Sequence, residues 1–166
     1  MTTHIKAFTY LPKIEAVRAG ICRQTIRPLG KRVVKVGDKI LFHGWRHRDC
    51  GGEIGFSSPG EKCRCQKCNE YVNPYSGGEW SWRLKADIIV GFDIKMYDSG
   101  FVFVNDAGGL AVHWDDALAD DMARRDGIVP PTGYGLRDAF MGMHRLKKEG
   151  KMFRVIRWGL QAKIDI

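Results

Sequence analysis

A chain of 166 residues, 44% hydrophobic and 28% charged, is long enough to bury a core as one domain and too apolar to be disordered. No apolar run reaches the length that spans a bilayer, and residues 1–7 lack the pattern of an export signal, so a soluble, cytoplasmic protein without a membrane partner is expected. The net charge of +8 is concentrated: residues 1–50 carry eleven Lys and Arg against Glu15, Asp38 and Asp49, and the remainder is balanced. A localised positive surface suits a polyanion, and without a basic amphipathic helix for a membrane, nucleic acid is the expected partner. A solvated basic face that only confers solubility is the alternative.

In chain order, Ile5–Tyr10 reads as a strand, and Leu11–Ala19 as a short helix with Pro12 at its start and Gly20 after its end. Gln24–Arg27 is expected to be extended, because the residue before Pro28 is pushed out of the helical region. Lys31–Lys35 and Lys39–Trp45 read as strands around a Val36-Gly37-Asp38 turn. Residues 46–79 have no sustained apolar period and look like an insertion. From Trp80 to Val90, Trp80, Trp82, Leu84 and Ala86 alternate with polar residues, the period of a half-buried strand. Phe92–Tyr97, Phe101–Val104 and Leu110–His113 suggest further short strands.

Asp115–Arg125 carries acids in its first turn, Arg124 and Arg125 in its last and Gly127 beyond, the order a helix dipole favours. A further helix is expected over Leu136–Lys148, and strands over Met152–Trp158 and Gln161–Ile166. The chain has no internal repeat. Many short strands with two or three helices indicate an α+β, mainly β domain spanning residues 1–166, with helices covering a barrel-like sheet and the cysteine-rich insertion at 46–79. His113 and His144 are read as structural histidines beside apolar residues.

Five cysteines are an odd set, and Cys50, Cys63, Cys65 and Cys68 fall within nineteen residues of a Gly-rich segment. Four thiolates with no open position suit a structural zinc in a knuckle-like site, with His47 or His43 able to replace Cys50 or Cys63. Metal binding would supply folding energy that this insertion otherwise lacks. Free thiols or a redox pair are the alternatives. The basic residues around the knuckle suggest a second nucleic-acid contact.

Two stretches carry a family resemblance. Gly20-Ile21-Cys22-Arg23-Gln24-Thr25-Ile26-Arg27-Pro28 is followed by Val36-Gly37-Asp38-Lys39-Ile40; Ala123-Arg124-Arg125-Asp126-Gly127 is followed, after a helix, by Phe153–Trp158. In order and spacing these resemble the ASCH family, whose pattern is Gly-x-Lys-x-x-Thr-x-Arg, a Gly-Asp turn, Ala-x-x-Glu-Gly and a closing apolar strand. The resemblance implies a PUA-like β-barrel with a cleft where the motifs meet. It also implies RNA binding, or in some members hydrolysis of an acetylated cytidine or RNA cleavage.

In the amidohydrolase members a Lys activates a Thr and a Glu handles the proton. Carried over, the Thr is Thr25 and the Glu position is Asp126, one methylene shorter; the Lys position falls on Cys22. Arg23 cannot replace that lysine as a base, because a guanidinium stays protonated. Cys22 itself, with Arg23 and Arg27 lowering its pKa and Asp126 orienting it, is a candidate nucleophile; a small buried cysteine is the alternative. A binding function asks less of the same cleft: Arg23, Arg27, Lys31 and Arg32 on phosphates, Thr25 and Asp126 on a base edge, and Trp45 stacked on a base. Three functions follow: RNA or modified-nucleotide binding, an amidohydrolase or nuclease in the same cleft, and a protein-interaction module.

Overall fold

The computed structural model describes residues 1–104 and 109–159 in full and the backbone of 163–165. In chain order the elements are β1 (Thr3–Ala7), α1 (Leu11–Arg18), β2 (Gln24–Pro28), β3 (Lys39–His47), β4 (Glu53–Gly55), β5 (Arg64–Cys65) and α2 (Pro74–Gly77). There follow β6 (Gly78–Met96), β7 (Gly100–Val104), β8 (Ala111–His113), α3 (Ala117–Arg125), α4 (Gly133–His144), β9 (Lys151–Trp158) and β10 (Lys163–Asp165). The chain is mainly β, as its patterning indicates. No described helix is long and apolar enough to cross a membrane.

One sheet runs in the order β2-β9-β6-β3-β4-β5, with β1, β7, β8 and β10 attached beside it. All pairings between these strands are antiparallel except β1 with β3. The strands expected over Trp80–Val90 and Phe92–Tyr97 are one continuous β6. Its first half pairs with β3 and its second with β9, and the register shifts between Ile88 and Val90. Trp82, Leu84, Ala86 and Ile88 are buried while Arg83, Lys85, Asp87 and Ile89 are exposed, the alternation that its sequence shows.

Lys31–Lys35 is not a strand. Over Lys39–His43, β3 already has β1 on one edge and β6 on the other, so no edge is left for a hairpin partner. The segment is held instead by buried Val34, whose carbonyl accepts from Arg154 Nε at 2.8 Å, and by Asp38, whose carboxylate takes the Lys35 amide at 3.1 Å and His4 Nε2 at 2.9 Å. The closing strand expected over Gln161–Ile166 is present as Lys163–Asp165, paired with β6; its remaining residues lie outside those described.

α4 starts three residues earlier than its apolar period suggests. Thr132 Oγ1 accepts from the Gly135 amide at 3.0 Å, and Asp120 of α3 accepts from the Gly133 amide at 2.7 Å, so caps extend the helix backward. It ends at Arg145, which adopts a left-handed φ of 51°. Three apolar clusters result. Among the described residues, one lies between α3, α4 and the β7–β9 side of the sheet, a second between α1, Phe8, β3, the first half of β6 and the end of β9, and a small third holds Trp45, Ile54, Cys65 and Val72 in the insertion. The insertion is therefore not featureless: β4 pairs with β3, and the β3–β6 ladder continues to His47 and Gly78 at its base.

Candidate functional site

Asp126 is positioned by the end of α3. Gly127, at φ 69°, donates to Arg124 O at 3.2 Å, and Ile128 donates to Ala123 O at 3.1 Å, the paired bonds of a Schellman ending. Asp126 is thereby fixed as the C-cap and points into the interior, 2% exposed. There it meets Lys13, from the first turn of α1, whose Nζ lies 2.7 Å from Asp126 Oδ2; this lysine side chain is also buried. Each charge sits at the end of its own helix whose dipole disfavours it, so their mutual attraction has to offset both dipoles and the loss of water.

Asp126 Oδ1 is buried with no hydrogen-bond partner. Burial pushes the Asp126 carboxyl above the usual carboxylate range, against the pull of Lys13 and Arg27. An unpartnered buried acceptor beside a buried ion pair is an unusual arrangement, and such perturbed groups concentrate at functional sites.

These groups line a cavity of about 80 Å³ together with Thr25, Arg27, Tyr10, Phe56 and His144. Thr25 is 1% exposed, and its hydroxyl accepts from Arg27 Nε at 3.1 Å. Arg27 also donates to the Ala7 carbonyl at 2.8 Å and lies 5.0 Å above the Phe8 ring. Its guanidinium is thus a fixed wall of the cavity rather than a mobile phosphate contact on a rim. Thr25 and Asp126 meet as expected. Lys13 joins them from outside both motifs, where no sequence signal marks it.

His144 is a second site residue that the sequence does not single out as one. It packs against Phe140 and Phe153, with ring centroids 5.2 Å from each, and faces the cavity. Burial, with Lys151 and Arg27 nearby, lowers its pKa from 6.5 to about 4. The imidazole is neutral at pH 7. Because its folded pKa lies below its unfolded value, its contribution to stability is intact above about 6.5 and is lost as pH falls toward 4. In an NMR titration the His144 ring protons are expected to shift with a midpoint near 4; a midpoint near 6.5 would place the ring in solvent.

Several expected site residues lie elsewhere. Cys22 is buried outside the cavity, and its single S–H has the Gln24 and Arg125 carbonyls, each 3.3 Å away, as its acceptors. Burial raises its pKa, the opposite of what a thiolate nucleophile needs. Arg23 lies before the start of β2 and faces a separate cleft with Arg125 and Arg157 rather than the cavity. Lys31 and Arg32 are exposed beyond the end of β2 and do not line the cavity. Trp45 is buried in the core of the insertion, edge-on to His43 and Tyr75, and offers no face to a base. Trp82 is core, whereas Trp80 is half-buried and stacks on His43 with centroids 4.3 Å apart.

In the insertion, one ligand atom from each of His47, Cys50, Cys65 and Cys68 lies within 4.8 Å of the others. Cys50 Sγ is 3.3 Å from Cys65 Sγ and 3.4 Å from His47 Nδ1, and Cys68 Sγ is 3.4 Å from His47 Nδ1. Tetrahedral zinc, with bonds of about 2.3 Å to sulfur and about 2.0 Å to nitrogen, holds its ligands roughly 3.5–3.8 Å apart, so this set fits a metal ion.

His47 takes the place expected for Cys63. Cys63, just before β5, packs instead against the small apolar core, and its carbonyl accepts from Val72. His43 is outside the set, its Nδ1 bonded to the Gly44 carbonyl. Burial opposes ionisation of Cys65, but the Cys68 and Lys67 amides and the Cys50 side chain outweigh it and bring its pKa down to about 6. Gly52 lets the chain pass close to this sulfur: a Cβ there would stand 2.5 Å from Cys65 Sγ.

The two sites are joined by a short path. The chain runs through β4 from Gly52 to Phe56, which exchanges backbone bonds with Thr9 (2.8 Å) and Leu11 (3.0 Å) and forms one wall of the cavity beside Tyr10. Arg18 of α1 clasps Glu53 of β4 at 2.7 Å. Whatever orders the insertion therefore also orders a wall of the cavity. No family model, curated protein or solved structure matches this chain.

Proposed function

We propose that the chain is a PUA-like domain of the ASCH type that recognises the edge of an unpaired or modified nucleobase in RNA. The carrying observation is the cavity itself, where a buried amine, a hydroxyl and an unpartnered carboxylate oxygen meet among Phe8, Tyr10, Phe56 and Phe140. Aromatic walls around a few convergent polar groups suit a flat heterocycle with donors and acceptors on its rim. A volume of about 80 Å³ takes a base edge with its exocyclic group and leaves sugar and phosphate outside. The basic bias of residues 1–50 favours a polyanionic partner over a free base. Support for a barrel comes from β6, which shifts register midway and serves both β3 and β9. Zinc fits the thiolate–imidazole set, in a structural role because four protein ligands leave no open position.

Hydrolysis of an amide on the base is the second reading, and Lys13 is the observation that favours it. The amine missing at Cys22 is supplied from α1 instead, and Asp126, with its raised pKa, can hold the proton that Lys13 must release before it accepts one from Thr25 Oγ1. Attack on an N4-acetyl carbonyl followed by water would give cytidine and acetate.

Binding and turnover are separated by one set of measurements. Single-stranded RNA with cytidine, N4-acetylcytidine or an abasic residue at one position is titrated with the protein and with Thr25→Ala. A base-reading cavity discriminates against the abasic strand by about 10–100-fold, the range of a hydrogen bond to a charged group, and Thr25→Ala erodes that ratio. Equal affinity for all three strands would remove the binding reading. Acetate release that vanishes in Thr25→Ala and Asp126→Ala would establish the hydrolase.

A further inference from the structure

We propose that a cleft separate from the cavity, formed by Arg23, Arg125 and Arg157, is a phosphate-binding site for a nucleotide or nucleic-acid strand. It measures about 370 Å³ and lies between the Gly20–Gln24 segment, the end of α3 and the end of β9. The three arginines come from chain segments about a hundred and about thirty residues apart, and only the fold brings their charges together.

Each guanidinium is anchored through the same atom. Arg23 Nε donates to the Gly20 carbonyl at 3.2 Å, Arg125 Nε to Asp121 Oδ2 at 2.6 Å, and Arg157 Nε to Gln24 Oε1 at 2.7 Å. The Gln24 side chain is itself buried, and its amide nitrogen contacts the Met122 carbonyl at 3.3 Å, so Arg157 is braced by a group that cannot relax into solvent. Among the described residues, the terminal amino groups of all three have no hydrogen-bond partner in the protein, and the Arg157 guanidinium lies 5.6 Å from the centre of the Phe92 ring. Among those residues too, Asp121 is the sole carboxylate bonded to any of the three, and it is shared with Arg124 at 3.3 Å.

Three like charges held together with a single carboxylate among them, itself shared with Arg124, repel one another, and a bound anion relieves that repulsion. A carboxylate is satisfied by one fork; three pre-oriented forks match the oxygens of a phosphate. The cleft also carries exposed Ile21 (79%) and Ile89 (55%), an apolar shoulder suited to a sugar or a base face. β2 connects the two sites: Thr25 serves the cavity, while Arg23 and Gln24, just before it, serve the cleft.

The test uses the full chain and three probes: inorganic phosphate, cytidine 5′-monophosphate against cytidine, and a single-stranded RNA 12-mer titrated over a series of salt concentrations. Arg125→Gln/Arg157→Gln is expected to weaken RNA binding at least about tenfold and to reduce the salt slope by about two, one for each phosphate left without its arginine. Arg125→Gln alone, at a side chain that is 51% exposed, is expected to reduce the slope by about one with the thermal midpoint unchanged, which keeps the test independent of folding. Arg157→Lys keeps the charge but loses the fork and is expected to retain the slope and only part of the affinity.

Tight binding of the mononucleotide and of phosphate, with no gain for the 12-mer, identifies a free nucleotide as the ligand; affinity that appears only with the strand identifies a backbone. Unchanged affinity for every phosphate-bearing probe in both glutamine variants overturns the site. Thr25→Ala serves to separate this inference from the base-reading cavity. If the cavity reading fails, Thr25→Ala and the abasic strand have no effect while the arginine variants still do.

Discussion

Lys13→Met alone and Asp126→Leu alone are each expected to destabilise the protein by about 3–5 kcal/mol, whereas the double variant Lys13→Met/Asp126→Leu is expected to be neutral or more stable by about 1–4 kcal/mol. The asymmetry follows from where the pair sits. Both side chains are buried, 2.7 Å apart, and removing one leaves the other charge without water or partner. Removing both eliminates the desolvation of two ions, the opposed helix dipoles and the unpartnered Asp126 Oδ1 at once. Urea unfolding measures the effect as a change in midpoint at constant slope. For a chain of this length each kcal/mol corresponds to about 2–4 °C in thermal midpoint, so the single variants fall by roughly 10 °C.

The double variant is also the decisive functional reagent, since it is expected to fold but lacks the buried ion pair of the cavity, and base discrimination is expected to disappear in it. If the double variant were as unstable as the single ones, the pair would be a net stabilising feature. Stability alone would then account for it, without a function.

The second large effect concerns the metal. The wild type and Cys63→Ser are expected to bind one zinc per chain, and Cys65→Ser and His47→Ala none, as read by metal analysis after gel filtration. Structural zinc in small modules contributes an apparent binding energy of about 10–16 kcal/mol, and the insertion has only a small apolar core of its own to fall back on. Chelation is therefore expected to abolish amide-exchange protection over residues 46–79 while the rest of β6 and β9 stays protected. Gly52→Ala, which drives a methyl group to within 2.5 Å of Cys65 Sγ, is expected to mimic Cys65→Ser. Because the chain beyond β4 carries Phe56 into the cavity wall, metal loss is also expected to weaken base recognition, though none of the four ligands lines the cavity. Retention of zinc by His47→Ala together with its loss from Cys63→Ser would restore the all-cysteine set.

Much of this architecture is written locally. The alternation of Trp82, Leu84, Ala86 and Ile88 specifies a strand and its buried face, because side chains of extended backbone point alternately to opposite sides. The charge order of α3 and the Gly127 ending specify that helix and place Asp126 at its cap. Cys65 and Cys68 are close enough along the chain that a single turn brings both sulfurs to one metal.

The groups that give the candidate sites their character are not local. Lys13 and Asp126 stand 113 residues apart, Arg157 and Gln24 133 apart, and neither partner changes the periodicity of its own segment. The strand expected at Lys31–Lys35 fails for the same reason: its propensity is adequate, but both edges of β3 are taken by strands from distant parts of the chain. His47 rather than Cys63 completes the candidate ligand set because β3 runs on two residues past Trp45 and carries the imidazole to Cys50, while Cys63, just before β5, packs into the small apolar core. Composition and period thus determine a mainly β domain with a basic first third and a cysteine-rich loop of candidate metal ligands. Only the tertiary structure decides which charges are buried face to face, since that depends on strand order and helix placement, which bring together residues whose local patterns carry no record of one another.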